Sequence, residues 1–118
     1  MRRGDIYDVD LDPIAGSEQA GKRPVVIVSR DSINSASRVA LGVPCTSCRP
    51  GRRTYASQVL LRAPDGGLAV DSIALCEQVR ALDHARFHEF RGTLSGRALG
   101  QIDRALLIAL DLDRLTDS

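Results

Sequence analysis

Apolar and polar positions alternate in short stretches along most of this chain, then switch to a helical spacing near its end. Tyr7, Val9 and Leu11 alternate with Asp8, Asp10 and Asp12, the period of a half-buried strand that stops at Pro13. Gly16 and Gly21 bracket a polar loop, and Pro24 closes it by fixing its own φ and keeping Arg23 out of helical geometry. The β-branched run Val25–Val28 predicts a buried second strand ending near Ser29. Asp31 to Ser35 reads as a turn or a single helical turn. Val39, Leu41, Val43 and Cys45 alternate again, giving a third strand that delivers Thr46 at its end. A fourth strand over Tyr55–Arg62 is stopped by Pro64-Asp65-Gly66-Gly67, a strong turn signal. Ser72–Leu82 reads as a fifth strand with a bend near Cys76–Gln78, and His84–Arg91 fits either a helical turn or a short strand.

Ser95 is placed to cap a helix running to about Leu112, with Leu99, Ile102, Leu106 and Leu110 on one face. Leu107 and Ile108 widen that face, which suits either a subunit contact or a deeply buried helix. Short strands separated by turn signals and followed by one terminal helix predict a mainly β fold: a small, strongly bent antiparallel sheet or barrel. At 118 residues, with no internal repeat or linker, the chain is expected to form a single domain over 1–118.

Composition narrows the setting. With two Phe, two Tyr and no Trp, the core must come from Val, Ile, Leu and Ala. Net charge is +1, but of the 16 basic residues only Lys22 is lysine. Arginine offers a planar fork suited to phosphate, and a genome rich in G and C gives the same bias. Three cysteines, an odd number, argue against a disulfide framework and for a reducing compartment. No apolar segment follows the N-terminal charges and none is long enough to span a bilayer, so a cytoplasmic protein without membrane partners is expected.

Several chemistries fit poorly. The Gly16–Arg23 loop lacks the Gly-Lys-Ser/Thr of a phosphate-binding P-loop and precedes a strand rather than a helix. Cys45 and Cys48 with His84 and His88 would make a zinc set, but the separation of the pairs is far from that of a compact finger. Cys45 and Cys76 read instead as small core residues. No metal or cofactor is therefore expected.

Five segments follow one another along nearly the whole chain. Arg3-Gly4-Asp5-Ile6-Tyr7 opens it, and Gly16-Ser17-Glu18-Gln19 with Arg23-Pro24 precedes the valine-rich strand. Val43-Pro44-Cys45-Thr46 stands in the third strand, Asp71-Ser72-Ile73 leads to Glu77-Gln78-Val79-Arg80, and Gly92-Thr93-Leu94-Ser95 precedes the terminal helix. In this order the five resemble the MazF/PemK family of toxin endoribonucleases. The resemblance implies an SH3-like barrel working as a homodimer, and a catalytic pair carried here by Arg23 and Thr46. It also implicates Glu18 and places Gln78 near the RNA.

The chemistry of those side chains agrees with that implication. RNA is cut by its own 2′-hydroxyl when an enzyme positions the sugar-phosphate, neutralises charge on the phosphoryl oxygens and helps move two protons. A fixed guanidinium such as Arg23 suits the second task, and a strand-end hydroxyl such as Thr46 adds a donor. Arginine, charged far above neutral pH, is a poor general acid and threonine a poor base, so the residues leave the proton transfers open; Glu18 is the better general-base candidate if it reaches the 2′-hydroxyl. Ser17, Gln19, Lys22, Arg49, Arg52, Arg53 and Gln78 are the candidate substrate-binding residues.

The expected activity is sequence-selective, metal-independent cutting of single-stranded RNA, leaving a 2′,3′-cyclic phosphate and a 5′-hydroxyl. The expected partners are RNA, a second copy, and a MazE-like antitoxin that inhibits through an acidic, partly disordered segment. The rival reading is a non-catalytic toxin on the same barrel, as in the related CcdB toxins that bind DNA gyrase. A plain RNA-binding barrel fits less well, because such modules stack bases on aromatics and only Tyr7, Tyr55, Phe87 and Phe90 are available.

Overall fold

The alternating stretches form one antiparallel sheet, seen in a computed structural model that describes residues 1–12, 16, 18 and 21–115. Among the described residues there are seven strands: β1 (Asp5–Asp10), β2 (Lys22–Ile27), β3 (Val39–Ser47), β4 (Gln58–Leu61), β5 (Ser72–Leu75), β6 (Arg80–Asp83) and β7 (Phe87–Thr93). The same residues form two α-helices, α1 (Asp31–Ala36) and α2 (Gly96–Ala109), and short 3-10 turns. The hydrogen-bonded order is β4-β5-β3-β2-β1-β7, with β6 also on β3. The bent-sheet expectation therefore holds, and the sheet is not closed: among the described residues, β4 and β7 are its two ends.

β3 is the axis. One edge pairs with β2, while the other takes β6 along Val39–Gly42 and β5 along Cys45–Ser47. β5 and β6 thus act as one bent strand, interrupted by the 3-10 turn Cys76–Gln78, as the sequence suggested. The fully buried run Val25, Val26 and Ile27 sits in the middle of the sheet.

The sheet buries apolar side chains on both faces. On one, Ile6, Val26, Val43, Cys45 and Leu61 pack against Ala98, Ile102 and Ala105 of α2. On the other, Val9, Leu11, Val25 and Leu82 form a second cluster with Tyr7 and Phe87. Burial pushes the Cys45 and Cys76 thiols up to about 12, which keeps them protonated at neutral pH. Both are free and buried, as expected of small core residues.

Two elements, the fourth strand and the terminal helix, are shorter than expected, each for a local reason. The fourth strand is cut to Gln58–Leu61 because Tyr55–Gln58 closes a turn, Gln58 N donating to Tyr55 O at 2.9 Å. His84–Arg91 holds both alternatives. Asp83 Oδ1 accepts from Ala85 N at 2.8 Å and caps the 3-10 turn His84–Arg86, and β7 then begins. The Ser95 hydroxyl does cap α2, accepting from Ala98 N. That helix stops at Ala109 because Asp111 adopts φ 57° and Leu112 N closes on Leu107 O. Beyond that stop Leu110 is 56% exposed, so Ala98 and Ala105 share the buried face with Ile102 instead.

One seam is made by backbone against backbone. Gly67 (φ 75°) lies so close to β7 that a Cβ there would sit 2.0 Å from the Arg91 carbonyl oxygen. The neighbouring Asp65 carboxylate accepts from both the amide and the hydroxyl of Ser95, at 2.8 Å each. The same turn therefore fixes β7 and the start of α2.

Candidate active site

The β2–β3 ladder runs toward Arg23 on one strand and Thr46 on the other. Its register pairs Val25 with Pro44 and Val26 with Val43, and continuing it toward the strand mouths sets Arg23 level with Thr46. Side chains alternate across a sheet. Val43 and Cys45 point into the core under α2, so Thr46 shares the opposite face with Pro44, and Arg23 shares it with Val25. Both are half-buried, and Thr46 is held from its other side by Ile73 of β5.

On that face lies a cleft of about 210 Å³ lined by Glu18, Pro44, Glu77, Gln78 and Arg80. Pro44 is the next residue before Thr46 on the same face of β3, so the cleft adjoins the Arg23–Thr46 pair. Gln78 reaches it because the 3-10 turn interrupts the β5–β6 strand beside β3. Glu18 reaches it from the loop between β1 and β2. Three chain segments thus converge on one concavity, the arrangement expected of a binding site.

Glu77 and Arg80 are members of this cleft that spacing alone did not single out. Glu77 is fixed by β4: its carboxylate accepts from Ser57 Oγ at 2.8 Å and from Gln58 Nε2 at 3.1 Å. Arg80 pairs with Gly42 at the start of β6. Both stand in the Glu77-Gln78-Val79-Arg80 segment, which was the available signal.

The remaining candidates are more dispersed. Lys22 is exposed at the start of β2, opposite Asp10. Arg49, Arg52 and Arg53 are exposed on the loop that leaves β3 just past Thr46, and none of them lines the cleft. Arg53 stacks its guanidinium over the Tyr55 ring, 5.7 Å from the centroid, and Tyr55 is 61% exposed. Ser17 and Gln19 lie outside the described residues. Among the described residues no group of three or more His, Cys, Asp and Glu side chains converges, so the Cys45, Cys48, His84 and His88 set does not assemble.

The arrangement offers a guanidinium and a hydroxyl at neighbouring strand mouths, with a carboxylate and an amide in the adjoining cleft. A strongly bent antiparallel sheet with one terminal helix defines a small β-rich domain. The chain matches the family described as PemK-like, MazF-like toxin of type II toxin-antitoxin systems over residues 2–110, and it belongs to that family. It is 44% identical over 117 residues to Endoribonuclease MazF9 of Mycobacterium tuberculosis, covering 95% of this chain and 98% of that one. Its fold is similar to that of MazF from Deinococcus radiodurans, with a TM-score of 0.80, 27% identity, and 94% and 96% of the two chains covered. A MazE-MazF structure from the same organism matches with a TM-score of 0.73 and 25% identity over 95% and 96%.

Proposed function

We propose that this chain is the endoribonuclease toxin of a toxin–antitoxin pair, cutting single-stranded RNA at selected sequences. The reading is carried by the β2–β3 register, which when continued past Val25–Pro44 sets Arg23 level with Thr46, on the sheet face that bears the Glu18–Gln78 cleft. The relative named an endoribonuclease, at 44% identity, supports it.

In this mechanism the substrate's 2′-oxygen forms a bond to the adjacent phosphorus and the bond from phosphorus to the 5′-oxygen breaks. Arg23 and Thr46 donate to the phosphoryl oxygens as charge gathers there. Glu18 takes the 2′-hydroxyl proton, a water molecule protonates the departing 5′-oxygen, and the hydroxide so formed takes the proton back from Glu18. The products are a 2′,3′-cyclic phosphate and a 5′-hydroxyl. No metal is required, because the nucleophile belongs to the substrate and the guanidinium supplies the positive charge.

Incubation with a mixed RNA pool in EDTA, followed by mapping of the cut ends, tests this directly. Cutting should persist in chelator, and the 3′ fragments should carry a free 5′-hydroxyl. Fragments with a 5′-phosphate, produced only when divalent metal is supplied, would mean a metal-activated water and a different enzyme.

The cytoplasm is the compartment this reading implies for the protein, one in which Cys45, Cys48 and Cys76 would stay reduced. No helix among the described residues is long and apolar enough to cross a membrane. It works as a homodimer, to which the broad apolar surface of α2 contributes, with Leu107 and Ile108 half-buried and Leu110 exposed. Small-angle scattering at micromolar concentration should give twice the 12.7 kDa chain mass, and a compact monomer would refute the assembly.

A MazE-like antitoxin inhibits it by laying an acidic segment across the RNA site. Lys22 and Arg23 on one side and Arg49, Arg52 and Arg53 on the next loop create a local positive field that draws phosphates and carboxylates alike. Changing Arg49, Arg52 and Arg53 together to alanine should weaken both RNA and antitoxin binding and flatten the salt dependence of each. Unchanged titrations for both ligands would rule out a shared groove.

A further inference from the structure

The loop that carries Glu18 is held at its root by a residue far away in sequence. Leu11 N donates to Gly21 O at 3.0 Å, Gly21 N donates to Asp12 Oδ1 at 3.1 Å, and Asp12 N donates to Asp10 Oδ1 at 3.0 Å. Across this neck reaches Arg86, whose Nη1 donates to the carbonyl oxygen of Asp10 at 3.2 Å and also to that of Asp12. Two backbone carbonyls, one on either side of Leu11, thus share one guanidinium nitrogen.

The arm behind that guanidinium is itself fixed. Arg86 ends the 3-10 turn between β6 and β7, which Asp83 caps and which His84 ties to the start of β3 by donating its amide to Arg38 O at 2.8 Å. The next residue, Phe87, pairs with Val9 on β1 and packs edge-on against Tyr7, ring centroids 5.7 Å apart. Leu11, between the two gripped carbonyls, is fully buried and lines the same cleft as Glu18. Any slack at Asp10–Asp12 is therefore transmitted both to the cleft wall and to the loop bearing Glu18.

We infer that Arg86 is a positioning residue: it clamps the neck of the β1–β2 loop and thereby sets where Glu18 stands in the cleft. It touches no substrate and acts through Glu18. The inference rests on the nuclease reading for its kinetic consequence, but the clamp itself has a readout independent of activity. A lysine keeps the charge and several donors on one nitrogen, but its chain is one bond shorter and its ammonium is not planar, so Arg86→Lys should retain part of the effect. Removing the cation altogether, as in Arg86→Met, should loosen the loop while leaving both core clusters intact. Misplacing a catalytic group by about an ångström costs on the order of a hundredfold in rate.

The experiment compares wild type, Arg86→Lys, Arg86→Met, Glu18→Gln and the Glu18→Gln/Arg86→Met double variant in single-turnover cleavage of a short RNA. Binding is measured separately with the same RNA carrying a 2′-deoxy sugar at the cut site. Arg86→Met should lose about tenfold or more in rate with unchanged affinity for the deoxy substrate, and Arg86→Lys should fall between. In the Glu18→Gln background the same change should cost less than about twofold, because both act on one step. In parallel, hydrogen exchange at the Leu11 and Gly21 amides should quicken in Arg86→Met while the amides of β3 and α2 stay protected. Independent, multiplying losses in the double variant, or unchanged exchange at Leu11 and Gly21, would overturn the assignment. If wild type cuts no RNA yet the two amides respond as stated, the clamp stands and the nuclease reading falls. Should Arg86→Met fail to fold, Arg86→Lys carries the same comparisons.

Discussion

Arg23→Ala and Thr46→Ala are each expected to slow RNA cleavage by about a hundredfold or more while the fold survives. Losing one preorganised donor to developing charge typically costs about 3 kcal/mol of transition-state stabilisation. Both side chains are half-buried at strand mouths, outside the clusters packed on either face of the sheet. Truncating them opens no core cavity, so thermal unfolding should move little. The test is a single-turnover rate beside a melting curve for each pure variant. Near-wild-type cutting by either one would remove that residue from the site.

Gly67→Ala should have the largest effect on stability of any single methyl group added to this chain. At φ 75° the backbone is left-handed, which costs an L-residue about 1–2 kcal/mol. The added Cβ would also sit 2.0 Å from Arg91 O and 2.6 Å from its carbonyl carbon, backbone atoms with no rotamer to turn aside. Either the turn or β7 must shift, and with it the Asp65–Ser95 contacts that hold α2. Together these effects should exceed about 4 kcal/mol, a large share of a typical domain's 5–15 kcal/mol. Gly51→Ala is the matched control. Its φ is 77° with nothing within 4 Å of the new Cβ, so only the conformational cost applies. Urea titrations that place the two variants within about 1 kcal/mol of each other would contradict the close-approach argument.

Much of the fold was legible because local periodicity governs strands that are buried on one or both faces. The alternation at Tyr7–Asp12 and Val39–Cys45 marks β1 and β3, and the unbroken Val25–Ile27 run marks the central β2. The bend within Ser72–Leu82 was legible too, because the apolar pattern falters at Glu77-Gln78. Where expectation failed, a side chain had intervened. Gln58 turns the chain back on Tyr55 and shortens β4, and a left-handed Asp111 ends α2 ahead of Leu112. The placement of Arg23 and Thr46 came from family motifs, and the ladder explains why those two distant segments meet. Glu77 and Arg80 were not legible as cleft residues, since their position depends on where the 3-10 turn falls against β3. Arg86 was invisible to any local reading, because its partners lie at the far end of the chain.

β3 presents Val43 and Cys45 to the core, while Pro44 lines the cleft and Thr46 follows it on the same face of the strand. That arrangement governs how this protein can be re-engineered. A library randomising consecutive positions of β3 would spend half its diversity on residues that decide whether the chain folds at all. Changes of sequence preference are better sought where no such double duty exists, on the exposed Arg49–Arg53 loop and at Glu77, whose carboxylate is held from outside the core by Ser57 and Gln58. Selection for a new cutting motif should therefore accumulate substitutions there first and leave the central strand untouched.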